Sequence, residues 1–283
     1  MRIIILGSTG YLGSKLATSL VTRNHEVLCI KRESSSIKRL ETIIEYIDFT
    51  NITNIAETLK QKKPYDCLIN TACVYPRNAQ NDMDIFEANF YVPLKILLAC
   101  VPYGIKKFVT IGTGLPNNFN TYSFSKNEFA RFCEWYMNQN TKNELKHICN
   151  IKLENFYGKD EPTERFIPST VKKLKHNDKI LLTEGDQRRD FIYIEDAIRA
   201  ITLVVEKQGL PKYMDLPLGT GIGVSIREAI DYLKLLTNSK SELCFGAIPK
   251  RENEPDSIAD CTKMKDLGID IKYSWQDGFK NLL

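Results

Sequence analysis

The sequence predicts an α/β protein built on a doubly wound parallel sheet, followed by a smaller C-terminal lobe. Three observations lead there. Strand-like and helix-like segments alternate through the first half of the chain, the pattern of βαβ units. A glycine-rich turn joins the first strand to the first helix, and past about Tyr157 the alternation loosens into pieces punctuated by Pro and Gly. Residues 1–156 are therefore assigned to the sheet domain and 157–283 mainly to the lobe, with some segments returning to the sheet. With 283 residues, 43% apolar and 26% charged, the chain can bury a full core.

Taken in order, residues 1–6 read as an apolar strand, and 26–30, 43–47, 66–70, 107–111 and 146–153 as the strands that follow. Helices are expected at 11–24, 51–61, 82–101 and 122–139, each with apolar residues three and four apart. The lobe should hold a helix at 163–176, a strand-turn stretch at 180–194, helices at 195–207 and 225–236, and an irregular tail. Ligands of open α/β sheets bind beyond the carboxyl ends of the strands, where the lobe is expected to supply substrate contacts.

Composition excludes several classes. No window reads as a membrane span, and the apolar start lacks a basic leader and runs into glycines, so no signal peptide is expected. The eight cysteines form no C-x-x-C pair, which fits reduced thiols and a cytoplasmic setting. Net charge is +4 with both signs mixed, so neither nucleic acid nor a membrane is an expected partner; an anionic small molecule suits it better.

The turn after the first strand reads Gly7-Ser8-Thr9-Gly10-Tyr11-Leu12-Gly13. Gly7 permits the tight turn, Gly10 lets backbone N–H groups approach a pyrophosphate, and Gly13 lets the helix pack against the strand. Thr9, Tyr11 and Leu12 complete this cradle, which makes the sheet Rossmann-type and the ligand a dinucleotide. At the end of the second strand, where an acidic residue would hold an NAD ribose, stand Lys31 and Arg32. Two cations suit a 2′-phosphate through charge-assisted hydrogen bonds, so NADP(H) is the expected cofactor.

Tyr-x-x-x-Lys sets a phenol and an ammonium on one helix face. Four pairs satisfy it: Tyr11/Lys15, Tyr91/Lys95, Tyr103/Lys107 and Tyr122/Lys126. Only Tyr122/Lys126 opens a helix after the fifth strand, whose end also carries the Thr113 hydroxyl. The expectation is that the Lys126 ammonium lowers the Tyr122 pKa and holds the nicotinamide ribose, while Thr113 hydrogen bonds the reacting oxygen.

These residues resemble the extended short-chain dehydrogenase/reductase family, of the NAD-dependent epimerase/dehydratase type, from Met1 nearly to the C-terminus. Asn70-Thr71-Ala72 resembles the family's Asn-Ala-Ala, followed by Cys73; Asn89 resembles its helix-four asparagine, and Asp48, followed by Phe49, the acidic residue beside the adenine. Asn155-Phe156-Tyr157-Gly158 resembles its Asn-Val-Tyr-Gly, Arg188-Arg189-Asp190-Phe191-Ile192-Tyr193 its Arg-Asp-Phe-Val-Tyr-Val, and Gly219-Thr220-Gly221 a late Gly-Thr-Gly turn. The resemblance implies a nucleotide-diphosphate sugar as substrate, met by Thr113, Asn155, Phe166, Arg189 and Arg251, and a homodimer formed through helices 82–101 and 122–139. Where the family's 4,6-dehydratases have Thr-Asp-Glu, this chain has Thr113-Gly114-Leu115, so dehydration is not expected. The short stretch from Thr113 to Tyr122 is similar to that of 4-keto-sugar reductases of the CDP-abequose and GDP-deoxyheptose type.

Three functions stay in view. The leading one is NADPH-dependent reduction of a 4-keto nucleotide sugar for surface polysaccharide biosynthesis. A 4-epimerase with bound NAD is the second, against which Lys31-Arg32 speaks. The third is a non-catalytic NADP-binding regulator.

Overall fold

The computed structural model describes residues 1–76, 81–139 and 144–283. They divide into two compact units, one of Met1–Lys152 with Ile198–Leu216, the other of Leu153–Ala197 with Pro217–Leu283.

The first unit is built on β1 (Arg2–Leu6), α1 (Tyr11–Thr22), β2 (Glu26–Lys31), β3 (Ile47–Asn51), α2 (Ile55–Gln61), β4 (Cys67–Asn70), α3 (Asp82–Phe86), α4 (Val92–Cys100), β5 (Lys107–Ile111), α5 (Thr121–Gln139) and β6 (His147–Leu153). β10 (Tyr213–Leu218) adds an outer strand, and the sheet runs β10-β6-β5-β4-β1-β2-β3, a doubly wound, Rossmann-type order. The pairs among β1 to β6 are all parallel. β6 and β10 advance together, from Ile148 N–H on Lys212 O to Glu154 N–H on Leu218 O, so the seventh strand is parallel too. Central strands are buried on both faces, which is why they read as unbroken runs such as Ile3-Ile4-Ile5-Leu6. Ile4, Leu28 and Leu68 from the strands meet Ile96 and Leu97 of α4 and Phe129 of α5 in one cluster.

Two expectations need correction. The strand expected at 43–47 is a 3-10 stretch, Lys38–Tyr46, and the strand begins only at Ile47. Leu40 and Ile43, three apart, are buried there while Ile44 and Tyr46 are exposed, the three-residue period of such a turn. Helix α2 accordingly starts at Ile55 rather than at residue 51, because Asn51 is still paired with Lys31. The second concerns Asp82–Tyr103, which is continuous helix and by length and composition alone would cross a membrane. Here its Ile96, Leu97 and Cys100 are fully buried in the sheet unit's core. This helix passes through a π-helical turn at Glu87–Tyr91.

The second unit contains a small sheet in which β9 (Arg188–Tyr193) lies between β7 (Asn155–Tyr157) and β11 (Gly223–Ser225), and a two-stranded pair of β8 (Ile180–Leu181) with β12 (Leu243–Cys244). Its helices are α6 (Phe166–Lys175), α8 (Ile226–Leu236), and the short α9 (Thr262–Asp266) and α10 (Trp275–Lys280). α7 (Ile194–Glu206) begins in this unit and ends in the first. Ser225 starts α8 with a capping box to Glu228, the Ser-x-x-Glu pattern visible in the sequence. Tyr157 packs at the centre against Phe191, Tyr193 and Phe279, and its hydroxyl donates to Trp275 O. The eight cysteines are all free.

Candidate active site

The glycine turn is tight because its neighbours leave no room for side chains. Gly7 has φ +85, and a Cβ there would lie 2.5 Å from Ala72 N; one on Gly13 would lie 2.2 Å from Gly7 O. Gly10 N–H donates to Gly7 O and α1 starts at Tyr11, so the helix N-terminus opens directly from the turn. Thr71 closes the other side, its N–H and hydroxyl both donating to Leu6 O. Buried Ser8 donates to Ile30 O, fixing the turn to the end of β2. The next two residues are Lys31, half-buried, and Arg32, exposed. Lys15 and Arg39 lie over the Tyr11 ring, 5.6 and 5.7 Å from its centroid. Sequence reasoning missed Arg39, which only the 3-10 stretch brings to this turn.

β2 and β3 pair Leu28 with Asp48 and Lys31 with Asn51, and Asp48 ion-pairs with Lys62. Phe49, level with Cys29, is likewise inside the strand. The residues at the edge beside Lys31 are Asn51 and then Ile52.

Of the four Tyr-x-x-x-Lys pairs, Tyr91 is 59% exposed, and Lys107 is buried with its ammonium on the carbonyls of Val204, Val205 and Lys207. Tyr122 and Lys126 stand on one face of the first turns of α5, both buried. Lys126 Nζ donates to Ile111 O at 2.9 Å and Ala72 O at 3.1 Å, joining the ends of β5 and β4. Ala72 is itself set by Asn70, whose Oδ1 accepts from Ala72 N while its Nδ2 donates to Thr110. Thr113 hydrogen bonds with Tyr122. Cys73 lies near enough to both Tyr122 and Lys126 to bear on their charge.

The electrostatics differ from the expectation. Burial holds the Tyr122 phenol well above the ordinary tyrosine range, reinforced by Tyr75 and Cys73 and opposed by the Thr113 hydrogen bond. Burial also draws the Lys126 ammonium below its usual value. The ammonium faces backbone carbonyls, so it does not offset the burial of Tyr122. Tyr122 is therefore a phenol at neutral pH.

Asn89 lies in the π-helical turn and is fully buried; its carboxamide donates to Val74 O and accepts from Val74 N, both at 2.9 Å. It thereby sets the segment from Cys73 to Tyr75, and the Tyr75 ring stacks on Tyr122. Tyr75 was not singled out from the sequence.

In the second unit, Asn155 is exposed in β7 beside Phe191, and Phe166, the first residue of α6, is 40% exposed. Arg189 is buried and already engaged, donating to Arg188 O, Pro255 O and Glu254. Arg251 is exposed, on a segment held on one side by Lys250 with Asp186 and on the other by Glu254 with Arg189. Asp190 is fully buried and accepts from Thr220 N and Oγ1, Gly221 N and Ala259 N, which explains why Arg-Asp-Phe and Gly-Thr-Gly occur together. Glu154 was missed. Its carboxyl accepts from Ser257 Oγ and burial raises its pKa to about 7.

A Rossmann-type sheet with a glycine turn at its first strand and a buried Thr, Tyr and Lys at its fifth strand and following helix defines a nicotinamide-dinucleotide enzyme. The chain matches the NAD dependent epimerase/dehydratase family over residues 3–216 and belongs to it. It is 25% identical to the CDP-abequose synthase of Salmonella muenchen, covering 100% of this chain and 97% of that one, and 27% identical to that of Salmonella typhimurium, covering 99% and 97%. Its fold matches the UDP-glucuronic acid 4-epimerase of Bacillus cereus, solved with UDP-glucuronic acid and NAD, with TM-score 0.86 at 20% identity over 99% of this chain and 97% of that one.

Proposed function

We propose that the protein reduces the 4-keto group of a nucleotide-diphosphate sugar, a deoxyhexose or heptose, with NADPH, as a step in surface polysaccharide biosynthesis. The observation that carries this reading is Lys31-Arg32 at the carboxyl end of β2, next to the residue that anchors the glycine turn. A 2′-phosphate there meets two cations, Lys31 and Arg32, at the position where an NAD site would place its acidic residue. The full-length likeness to proteins named CDP-abequose synthase supports the substrate class.

The residues fit a dinucleotide, since the close packing at Gly7 and Gly13 brings the N-terminus of α1 directly out of the turn after β1. The turn from Gly7 to Gly13, with Thr9, Tyr11 and Leu12, holds the pyrophosphate at the start of α1. Lys31 and Arg32 take the 2′-phosphate, and Asp48 and Phe49 serve the adenine. Thr71, Ala72 and Cys73 line the cofactor at the end of β4, with Asn89 holding that segment. Lys126 spends two N–H donors on carbonyls and keeps a third for the ribose. When bound, the nicotinamide supplies a hydride. Thr113 donates a hydrogen bond to the carbonyl oxygen and Tyr122 gives it a proton. Asn155, Phe166 and Arg251 serve the nucleotide sugar, and Arg189 takes the diphosphate in exchange for Glu254. The apolar side chains Tyr91, Leu98 and Trp135, exposed on the helical stretch 82–103 and on α5, pair the chain as a homodimer.

Anaerobic NADPH consumption against a panel of 4-keto nucleotide sugars tests the reading. Stoichiometric NADP with one of them is expected. Interconversion of two 4-hydroxy sugars without added cofactor would make the protein an epimerase instead.

A further inference from the structure

The segment after β4 presents a second phenol to the one assigned to proton transfer. The rings of Tyr75 and Tyr122 stack with centroids 4.9 Å apart and planes 28° from parallel. Their backbones are tied through two side chains. Asn89 clamps Val74, the neighbour of Tyr75, and its Nδ2 lies 3.4 Å from Ser125 Oγ, which donates to Tyr122 O. Ring contact and hydrogen-bonded bridge thus close a loop around the two tyrosines, and the placement of one fixes the other. Tyr122 is 9% exposed whereas Tyr75 is half-buried, so Tyr75 is the less enclosed of the two side chains.

We propose that Tyr75 is a positioning residue for Tyr122: its ring fixes the orientation of the phenol, and its hydroxyl returns a proton to Tyr122 after each turnover. The inference rests on the reading of Tyr122 as proton donor. The balance is simple. Hydride adds to the carbonyl carbon, the Tyr122 O–H bond breaks to protonate the oxygen, the Tyr122 oxyanion takes the proton of Tyr75, and Tyr75 takes one from water. The groups that face Tyr122 are Tyr75 and Cys73 from the segment after β4 and the Thr113 hydroxyl from the end of β5; Lys126, on its own helix, is turned to carbonyls. The hydrogen bond and charge of Tyr75 both raise Tyr122. Removing the Tyr75 hydroxyl therefore lets Tyr122 ionise at lower pH.

Tyr75→Phe keeps the ring and deletes the hydroxyl; Tyr75→Leu deletes both. The deciding measurement needs no substrate: the tyrosinate absorbance titration of Tyr122, taken as the difference between each protein and its Tyr122→Phe counterpart. In Tyr75→Phe the Tyr122 transition should move to lower pH; an unmoved transition overturns the proposal. With the reducible sugar, Tyr75→Phe should lose about tenfold in kcat with KM unchanged, its basic limb moving down in pH, and Tyr75→Leu should lose more. Unchanged kcat in Tyr75→Phe overturns the proton return. If wild type reduces no sugar, the reduction reading fails, while the titration still decides whether the two phenols are coupled.

Discussion

The carboxamide of Asn89 and the backbone of Val74 hydrogen bond in both directions, each at 2.9 Å, with Asn89 wholly shut off from solvent. A buried two-way bond of this kind is costly to break, since it leaves a donor and an acceptor unpaired. Asn89→Leu should lower the unfolding free energy by about 1–3 kcal/mol in urea melts. It should also weaken NADPH binding, because the segment that it holds includes Cys73. Unaltered stability would mean that the Val74 groups find other partners.

Lys31→Ala/Arg32→Ala should erase most of the preference for NADPH over NADH, measured by fluorescence titration of each cofactor. Hydrogen bonds to charged groups contribute about 1.5–3 kcal/mol each, so a loss of about tenfold to a hundredfold per cation is expected for NADPH with little change for NADH. Equal affinities in the wild type would remove NADP from the assignment.

Tyr122→Phe should reduce turnover about a hundredfold or more and leave cofactor affinity intact, since only the proton is removed. Tyr11→Phe, Tyr91→Phe and Tyr103→Phe should stay active. Deuterium on the transferred face of NADPH should appear at C4 of the product, one per turnover, by mass spectrometry.

Glu154 makes stability fall as pH rises. Its folded pKa is about 7 against an ordinary 4.5, because burial disfavours the charged form. Below 4.5 both states are protonated and nothing is lost; between 4.5 and about 7 the unfolded chain ionises first; above that the full penalty, about 3 kcal/mol, is present. Glu154→Gln should flatten this part of the stability curve and be the more stable protein at pH 8. Parallel curves for the two proteins would show that Ser257 and Arg189 already compensate the charge.

Much of the sheet was legible because its signals are local. The glycine turn, the apolar runs of β1 and β5 and the Ser225–Glu228 cap each announce themselves within a few residues. Tyr122 was chosen among four candidates by its place after the fifth strand. What was not legible depends on partners far away in the chain. Which residue of β3 lies level with Lys31 is a matter of register, and β10 joins the sheet from beyond residue 212. Tyr75 and Glu154 have no motif. One is defined by a ring stack across 47 positions, the other by a serine hydroxyl 103 positions away.

The order of synthesis follows from the place of β10. The strand that covers the outer edge of β6 comes from 213–218, and the carbonyls that receive the Lys107 ammonium come from Val204, Val205 and Lys207. A nascent chain that has reached residue 156 therefore holds an open strand edge and a buried cation with no acceptors. It must wait for about 60 more residues before the first unit can close, an interval in which bare strand edges invite association with other chains.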